Sequence, residues 1–244
     1  MKKIIVLIIA AAVIISGFSL YSQPEIRWEV GKTLQVKEGT SPQIKDSSIK
    51  IETIATGINE LTTFAFVGND ILYLEKINGD IRLIRDGQVS EKILYHFDVY
   101  KTTESGLLGI TTKDNLVYIY VSEPLDEEGT IPKANNIYEF LWTGEELINK
   151  KLINTLPSRS CCHHGGYMVT SPNGEIFATI GDLENVRASG FPSKLQNNKD
   201  GGIDDTSIIL RVGIDENIIS PMKSDDPFSH YYAIGIRNSF GLAF

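Results

Sequence analysis

Cys161, Cys162, His163 and His164 occupy four consecutive positions directly before Gly165-Gly166. They include both cysteines and two of the four histidines in the chain. An imidazole moves protons near neutral pH, and paired glycines let other groups approach the backbone closely. Proton transfer at a turn is therefore the first chemistry to consider; the plain alternative for His163 is a hydrogen-bonded turn histidine. All four residue types in the cluster can ligate zinc, but four consecutive side chains do not easily converge on one tetrahedral centre. For the cysteines the alternatives are a local thiol pair or a strained bridge between neighbours, which staples nothing distant.

Two other segments carry polar side chains in an equivalent setting. Glu104-Ser105 precedes Gly106-Leu107-Leu108-Gly109, and Arg237-Asn238 precedes Gly241-Leu242, as His163-His164 precedes Gly165-Gly166. These segments accompany a repeated unit of strand, tight polar turn and strand. Phe64 to Val67 runs through Gly68-Asn69-Asp70 into Ile71 to Leu74. Gly109 to Thr112 runs through Lys113-Asp114-Asn115 into Leu116 to Tyr120. Met168 to Ser171 runs through Pro172-Asn173-Gly174 into Glu175 to Ala178. The turns recur every 45 to 60 residues or so, about the length of a four-stranded propeller blade.

This periodicity predicts an all-β chain, a partial β-propeller of about three to four blades over 49–244. Equivalent positions of successive blades converge at one end of the propeller axis, so Glu104, His163 and Arg237 are expected around one pocket. Further strands are expected at Ile49 to Ile54 and Asp80 to Ile84, and Asn78-Gly79 reads as a hairpin turn with positive φ tolerated at both positions. Gly144 to Leu156 is the one helix candidate after the N-terminus, although its alternation also suits a strand. Gly241 to Phe244 reads as the start of a fourth copy, and the sequence as part of a longer propeller whose edges close elsewhere.

The 244 residues can bury a core, and the net charge of −8 argues against a nucleic-acid partner. Lys2-Lys3 followed by the apolar run Ile4 to Ile15 reads as an export signal or an uncleaved N-terminal anchor over 1–22. Residues 23–48 read as a linker or lead-in. Either reading of the N-terminus puts the remainder outside the cytoplasm, with membrane contact only through that segment.

Glu104-Ser-Gly-Leu-Leu-Gly-Ile110, His163-His-Gly-Gly166, Pro172-Asn-Gly174, Gly181-Asp182, Ile209-Leu-Arg211, Asp226-Pro-Phe228 and Gly235-Ile-Arg-Asn-Ser-Phe-Gly-Leu-Ala-Phe244 occur in one order. In that order and spacing, over Ile49 to Phe244, the chain resembles the soluble quinoprotein glucose/sorbosone dehydrogenases. The resemblance implies a six-bladed propeller that binds pyrroloquinoline quinone (PQQ) and Ca²⁺ and passes electrons to an external acceptor. It implies oxidation of an aldose C1 hydroxyl to a lactone, or of a sugar aldehyde to an acid, with hydride passing to the quinone. It places the general base at His163, a charge-stabilising cofactor contact at Arg237, and further cofactor contacts at Asn238 and Glu104. Calcium ligands and several basic cofactor contacts would lie beyond residue 244, so the chain alone is not expected to hold the cofactor.

Three features depart from the family pattern. His164 stands at a variable position and reads as a binding residue or a solvent-facing spacer. Tyr167 replaces a basic residue of some relatives, and the cysteine pair is extra. Arg237 has a structural alternative, pairing with Asp182 or another acid at the top of a blade. Lys199 to Asp205 faintly resembles a calcium loop but lacks alternating oxygen ligands, and the polar stretch Glu184 to Thr206 reads as a pocket wall or as surface. Two other functions stand beside the dehydrogenase. One is a non-catalytic propeller that binds carbohydrate or protein. The other is a metal-dependent propeller hydrolase, for which only Glu104 is suitably placed.

Overall fold

A computed structural model describes residues 44–159, 162–183, 204–213 and 229–244. The chain divides into two compact units, Met1–Glu52 and Thr53–Phe244. Within the first unit the described residues include a turn in which Ser48 N and Oγ donate to Asp46 Oδ1 at 2.9 and 2.7 Å. The signal or anchor segment, most of the lead-in, Asp226-Pro227-Phe228 and 184–203 lie outside the described residues.

The second unit is built from strands, with no helix among the described residues. Strands β1 (Leu61–Val67), β2 (Asp70–Glu75), β3 (Asp80–Arg85) and β4 (Gln88–Val89) form one antiparallel meander, and β5 (Tyr95–His96) also pairs with β3. The second meander is β6 (Leu107–Lys113), β7 (Leu116–Pro124), β8 (Pro132–Trp142) and β9 (Leu147–Leu156). The third is β10 (Met168–Thr170), β11 (Ile176–Ile180), β12 (Ile208–Val212) and β13 (Tyr231–Ile234). Each sheet runs in sequence order, as the blades of a propeller do. The three strand–turn–strand repeats are the hairpins β1–β2, β6–β7 and β10–β11.

The middle sheet is apolar on both faces because it is covered on both. Val117, Ile119, Val121 and Ile110 join a core with Leu72, Leu74, Ile81 and Phe97 of the first sheet region. Their neighbours Tyr118, Tyr120 and Leu108 point the other way, into a core with Met168, Ile180, Ile208 and Leu210. Successive side chains of a strand face opposite sides. The unbroken run Leu116 to Val121 therefore serves two cores at once.

The first strands of successive sheets adjoin, β1 against β6 and β6 against β10. Threonine hydroxyls cross these seams: Thr62 Oγ1 donates to Leu107 O at 2.9 Å, Thr112 Oγ1 to Phe66 O at 2.8 Å and Thr170 Oγ1 to Thr112 O at 2.8 Å. Gly109 permits the tightest approach, since a Cβ there would lie 1.9 Å from Gly166 O.

Three expectations need correction or choice, while the Asn78-Gly79 hairpin stands between β2 and β3. Ile49 to Ile54 forms no strand, and Ile49, Ile51 and Ile54 are exposed, so their alternation has no sheet face to serve. In the β2–β3 turn only Gly79 has positive φ, at 78°; Asn78 is not left-handed and instead donates to Glu75 Oε2 at 3.0 Å. Gly144 to Leu156 contains strand β9, which the β8 ladder holds extended. Gly241 to Phe244 is not a strand, because no ladder partner reaches it, although Phe244 packs on Phe177 with ring centroids 5.4 Å apart.

Candidate functional site

The turn leading into β10 is held in a conformation few residues adopt. His163 has φ 61°, and Gly165 and Gly166 follow at 65° and 90°. A left-handed histidine costs on the order of 1–3 kcal/mol unless its surroundings determine it. Here they do. His163 N donates to Glu104 Oε2 at 2.6 Å, Tyr120 OH donates to His164 O at 3.2 Å, and Gly166 N donates to Thr179 O at 2.8 Å.

Glu104 joins three segments. The oxygen that accepts from His163 N also accepts from Asn238 Nδ2 at 2.9 Å. Asp182 N donates to Arg237 O at 2.9 Å, and a Cβ on Gly181 would lie 2.2 Å from His163 O and 2.5 Å from Arg237 O. Glu104, His163, Arg237 and Asn238 are thus brought together from the lead-ins to β6 and β10 and from the segment after β13. The Arg237 guanidinium is exposed and makes no hydrogen bond or ion pair among the described residues. It does not pair with Asp182. Nearby, burial lowers the pKa of the Lys76 ammonium, against the opposing pull of Glu60 and Glu104.

Asp182 has another partner. Its Oδ1 lies 2.5 Å from His163 Nδ1, and the two residues are 1% and 6% exposed. An ionised carboxylate can only accept, so the neutral imidazole carries its proton on Nδ1 and keeps a lone pair on Nε2. Gly181-Asp182 is legible as a motif in the sequence, but its histidine partner is not, because the two residues meet only when β11 returns beside the β10 lead-in.

His164 is not a solvent-facing spacer. It is fully buried, with Nδ1 3.1 Å from Asn135 Oδ1. The two neighbouring imidazoles thus serve different surroundings, and among the described residues no three His, Cys, Asp or Glu come together to hold a metal ion. The zinc reading has no support among the described residues, and no calcium ligand is assigned among them. Cys162 is disulfide-bonded, whereas Cys161, the other cysteine of the chain, lies outside the described residues. At Asp204, Oδ1 accepts from Thr206 Oγ1 at 2.6 Å and Oδ2 lies 3.4 Å from Arg159 Nη2, while Tyr231 OH donates to Asp205. These two carboxylates are engaged with protein donors, unlike an open calcium loop.

Comparison with known proteins gives one consistent answer. A family model described as glucose / sorbosone dehydrogenase matches residues 59–244. No curated protein matches the sequence. Among solved structures, the PQQ-bound aldose sugar dehydrogenase of Streptomyces coelicolor is 25% identical, with a TM-score of 0.56 over 77% of this chain and 54% of that one. A structure from Thermus thermophilus described as an oxidoreductase (glucose dehydrogenase) is 23% identical, with a TM-score of 0.57 over 77% and 55% of the two chains. A further glucose dehydrogenase is 21% identical, with a TM-score of 0.56 over 75% and 53%. The chain spans about half the length of these structures.

Proposed function

The chain belongs to the glucose/sorbosone dehydrogenase family, and we propose that it carries the proton-transfer half of a quinone-dependent sugar dehydrogenase site. The observation that carries this reading is the buried His163–Asp182 pair, which leaves Nε2 as the available base.

The oxidation removes two hydrogens from an aldose C1. One leaves as a proton from the hydroxyl and the other as a hydride from carbon, so the product is a lactone; a sugar aldehyde first takes up water to form its hydrate, and the same loss from the hydrate gives an acid. His163 Nε2 takes the hydroxyl proton, and Asp182 holds the ring in the right tautomer and stabilises the imidazolium. Glu104 fixes the backbone of that base through His163 N.

Arg237 and Asn238 suit the cofactor implied by the family. Among the described residues, Asn238 Oδ1 is buried without a hydrogen-bond partner, and the neighbouring guanidinium is unpaired. PQQ offers a pyrrole N–H and quinone oxygens, which match one acceptor and one cation. When bound, the quinone supplies the two-electron acceptor, later reoxidised by an external acceptor. Arg237 would then stabilise negative charge that develops on reduction. Calcium has no ligand set among the described residues, and no step is assigned to it.

Lys2-Lys3 and the apolar run after it support an extracytoplasmic place, secreted or anchored, and the disulfide at Cys162 suits an oxidising compartment. The test is to add PQQ and Ca²⁺ to a protein that carries this chain within a complete propeller and follow quinone absorbance and dye reduction across a panel of aldoses. Quinone binding with sugar-dependent reduction, abolished in His163→Gln while binding persists, is the expected result. Sugar binding with neither quinone binding nor reduction would instead identify a non-catalytic carbohydrate-binding propeller.

A further inference from the structure

The residue after the candidate base sits in a polar pocket of its own. His164 has no exposed surface. Its Nδ1 lies 3.1 Å from Asn135 Oδ1 on β8 and 3.4 Å from Ser122 Oγ on β7. Asn135 Nδ2 donates to Pro157 O at 2.7 Å, which fixes the amide so that its oxygen faces the imidazole. That oxygen also accepts from Ser122 Oγ at 2.6 Å. An amide oxygen only accepts, so His164 Nδ1 carries a proton and donates it. The Tyr100 ring lies beside the imidazole, with centroids 6.0 Å apart.

We infer that His164 is a positioning residue for His163. The turn from 163 to 166 has left-handed φ at three of its four residues and lies outside any strand. Apart from Gly166 N, which donates to Thr179 O, side-chain anchors must therefore hold it. Glu104 holds His163 N, and Tyr120 holds His164 O. The His164 ring is a further anchor to the middle sheet, where it meets both β7 and β8. With that ring locked, the chain direction at Cα 164 is set, and the preceding side chain is aimed at Asp182. A displacement of about 1 Å at a catalytic group lowers turnover roughly 10²-fold, so an anchor one residue away controls the base without touching substrate.

This inference rests on His163 as the base, but its first test does not need activity. The chain has four histidines, so the imidazole spectrum of the ¹⁵N-labelled full chain can be assigned. The His163 Nδ1–H bonded to Asp182 is expected as a slowly exchanging, far-downfield proton. His164→Leu removes the donor and should abolish that signal; His164→Asn places an amide N–H near the Nδ1 position and should retain it. In quinone-loaded protein, His164→Leu should lower kcat about 10²-fold with KM little changed, and His164→Asn should restore most of it. If His164→Leu does not fold, Asn135→Ala removes the acceptor from β8 without substituting any residue of the turn and should abolish the same signal. An unchanged His163 signal in a folded His164→Leu or Asn135→Ala protein overturns the inference. An absence of turnover in the parent protein counts against the dehydrogenase reading alone.

Discussion

His163 Nδ1 and Asp182 Oδ1 approach to 2.5 Å inside the third sheet region, with both side chains almost wholly buried. A histidine whose Nδ1–H donates a hydrogen bond to a buried carboxylate has one nitrogen left for chemistry, and its ring cannot flip without breaking that bond. Asp182→Asn keeps the shape but offers an amide that can present N–H to the ring and favour the wrong tautomer. Turnover of quinone-loaded protein should fall by about 10²-fold or more while quinone absorbance on binding stays. Steady-state dye reduction beside a binding titration checks both, and an undiminished kcat would remove Asp182 from the mechanism.

Glu104 serves two donors with one oxygen, His163 N at 2.6 Å and Asn238 Nδ2 at 2.9 Å. Glu104→Ala leaves a largely buried backbone N–H without its acceptor and should destabilise the protein by about 1–3 kcal/mol. Glu104→Gln keeps an acceptor oxygen and should cost less. Urea denaturation of the two variants decides the order; equal losses would mean that the hydrogen bonds are not what Glu104 contributes.

The seam between the second and third sheets depends on a missing side chain. A Cβ at Gly109 would sit 1.9 Å from Gly166 O and 2.9 Å from Met168 Cγ, whereas one at Gly241 would meet nothing within 4 Å. Gly109→Ala should therefore destabilise by about 3 kcal/mol, and Gly241→Ala should change stability by less than about 0.5 kcal/mol. Thermal and urea unfolding of the pair measures the contrast.

Tyrosine burial sets the alkaline limit of the fold. Burial raises the pKa of Tyr120; burial followed by the bond to a carboxylate does the same for Tyr118 with Glu139, Tyr138 with Glu123 and Tyr231 with Asp205. A raised folded-state pKa means that the native state holds the proton more tightly than the unfolded one. The stabilisation is full below the unfolded tyrosine value of about 10 and is lost as pH rises above it. Stability measured by urea unfolding should fall from about pH 10 upward, and Tyr120→Phe should flatten that fall. A slope unchanged by the substitution would show that Tyr120 does not contribute to it.

The repeat of strand, polar turn and strand was legible because each hairpin uses neighbouring residues: the turns at 68–69, 114–115 and 172–174 lie between strands that pair with each other. The gathering of Glu104, His163, Arg237 and Asn238 was legible for a related reason, since equivalent places in successive blades must meet at one end of the axis. Ile49 to Ile54 misled because alternation signals a strand only where a sheet face is available to receive it. The Asn78-Gly79 hairpin was legible because its turn joins two neighbouring strands, with the glycine taking the positive φ.

His163 stood out in the sequence because of its place beside Gly165-Gly166 and the blade-like hairpin after it. Its partner and its support were decided in three dimensions. Asp182 reaches it only after β10 and β11 have paired, and His164 finds Asn135 and Ser122 only where the second and third sheets pack together. Local pattern determined which residue types enter the turn. The tertiary structure decided which of two adjacent imidazoles meets a carboxylate and which is locked by an amide, because hydrogen-bond partners depend on where distant strands come to lie.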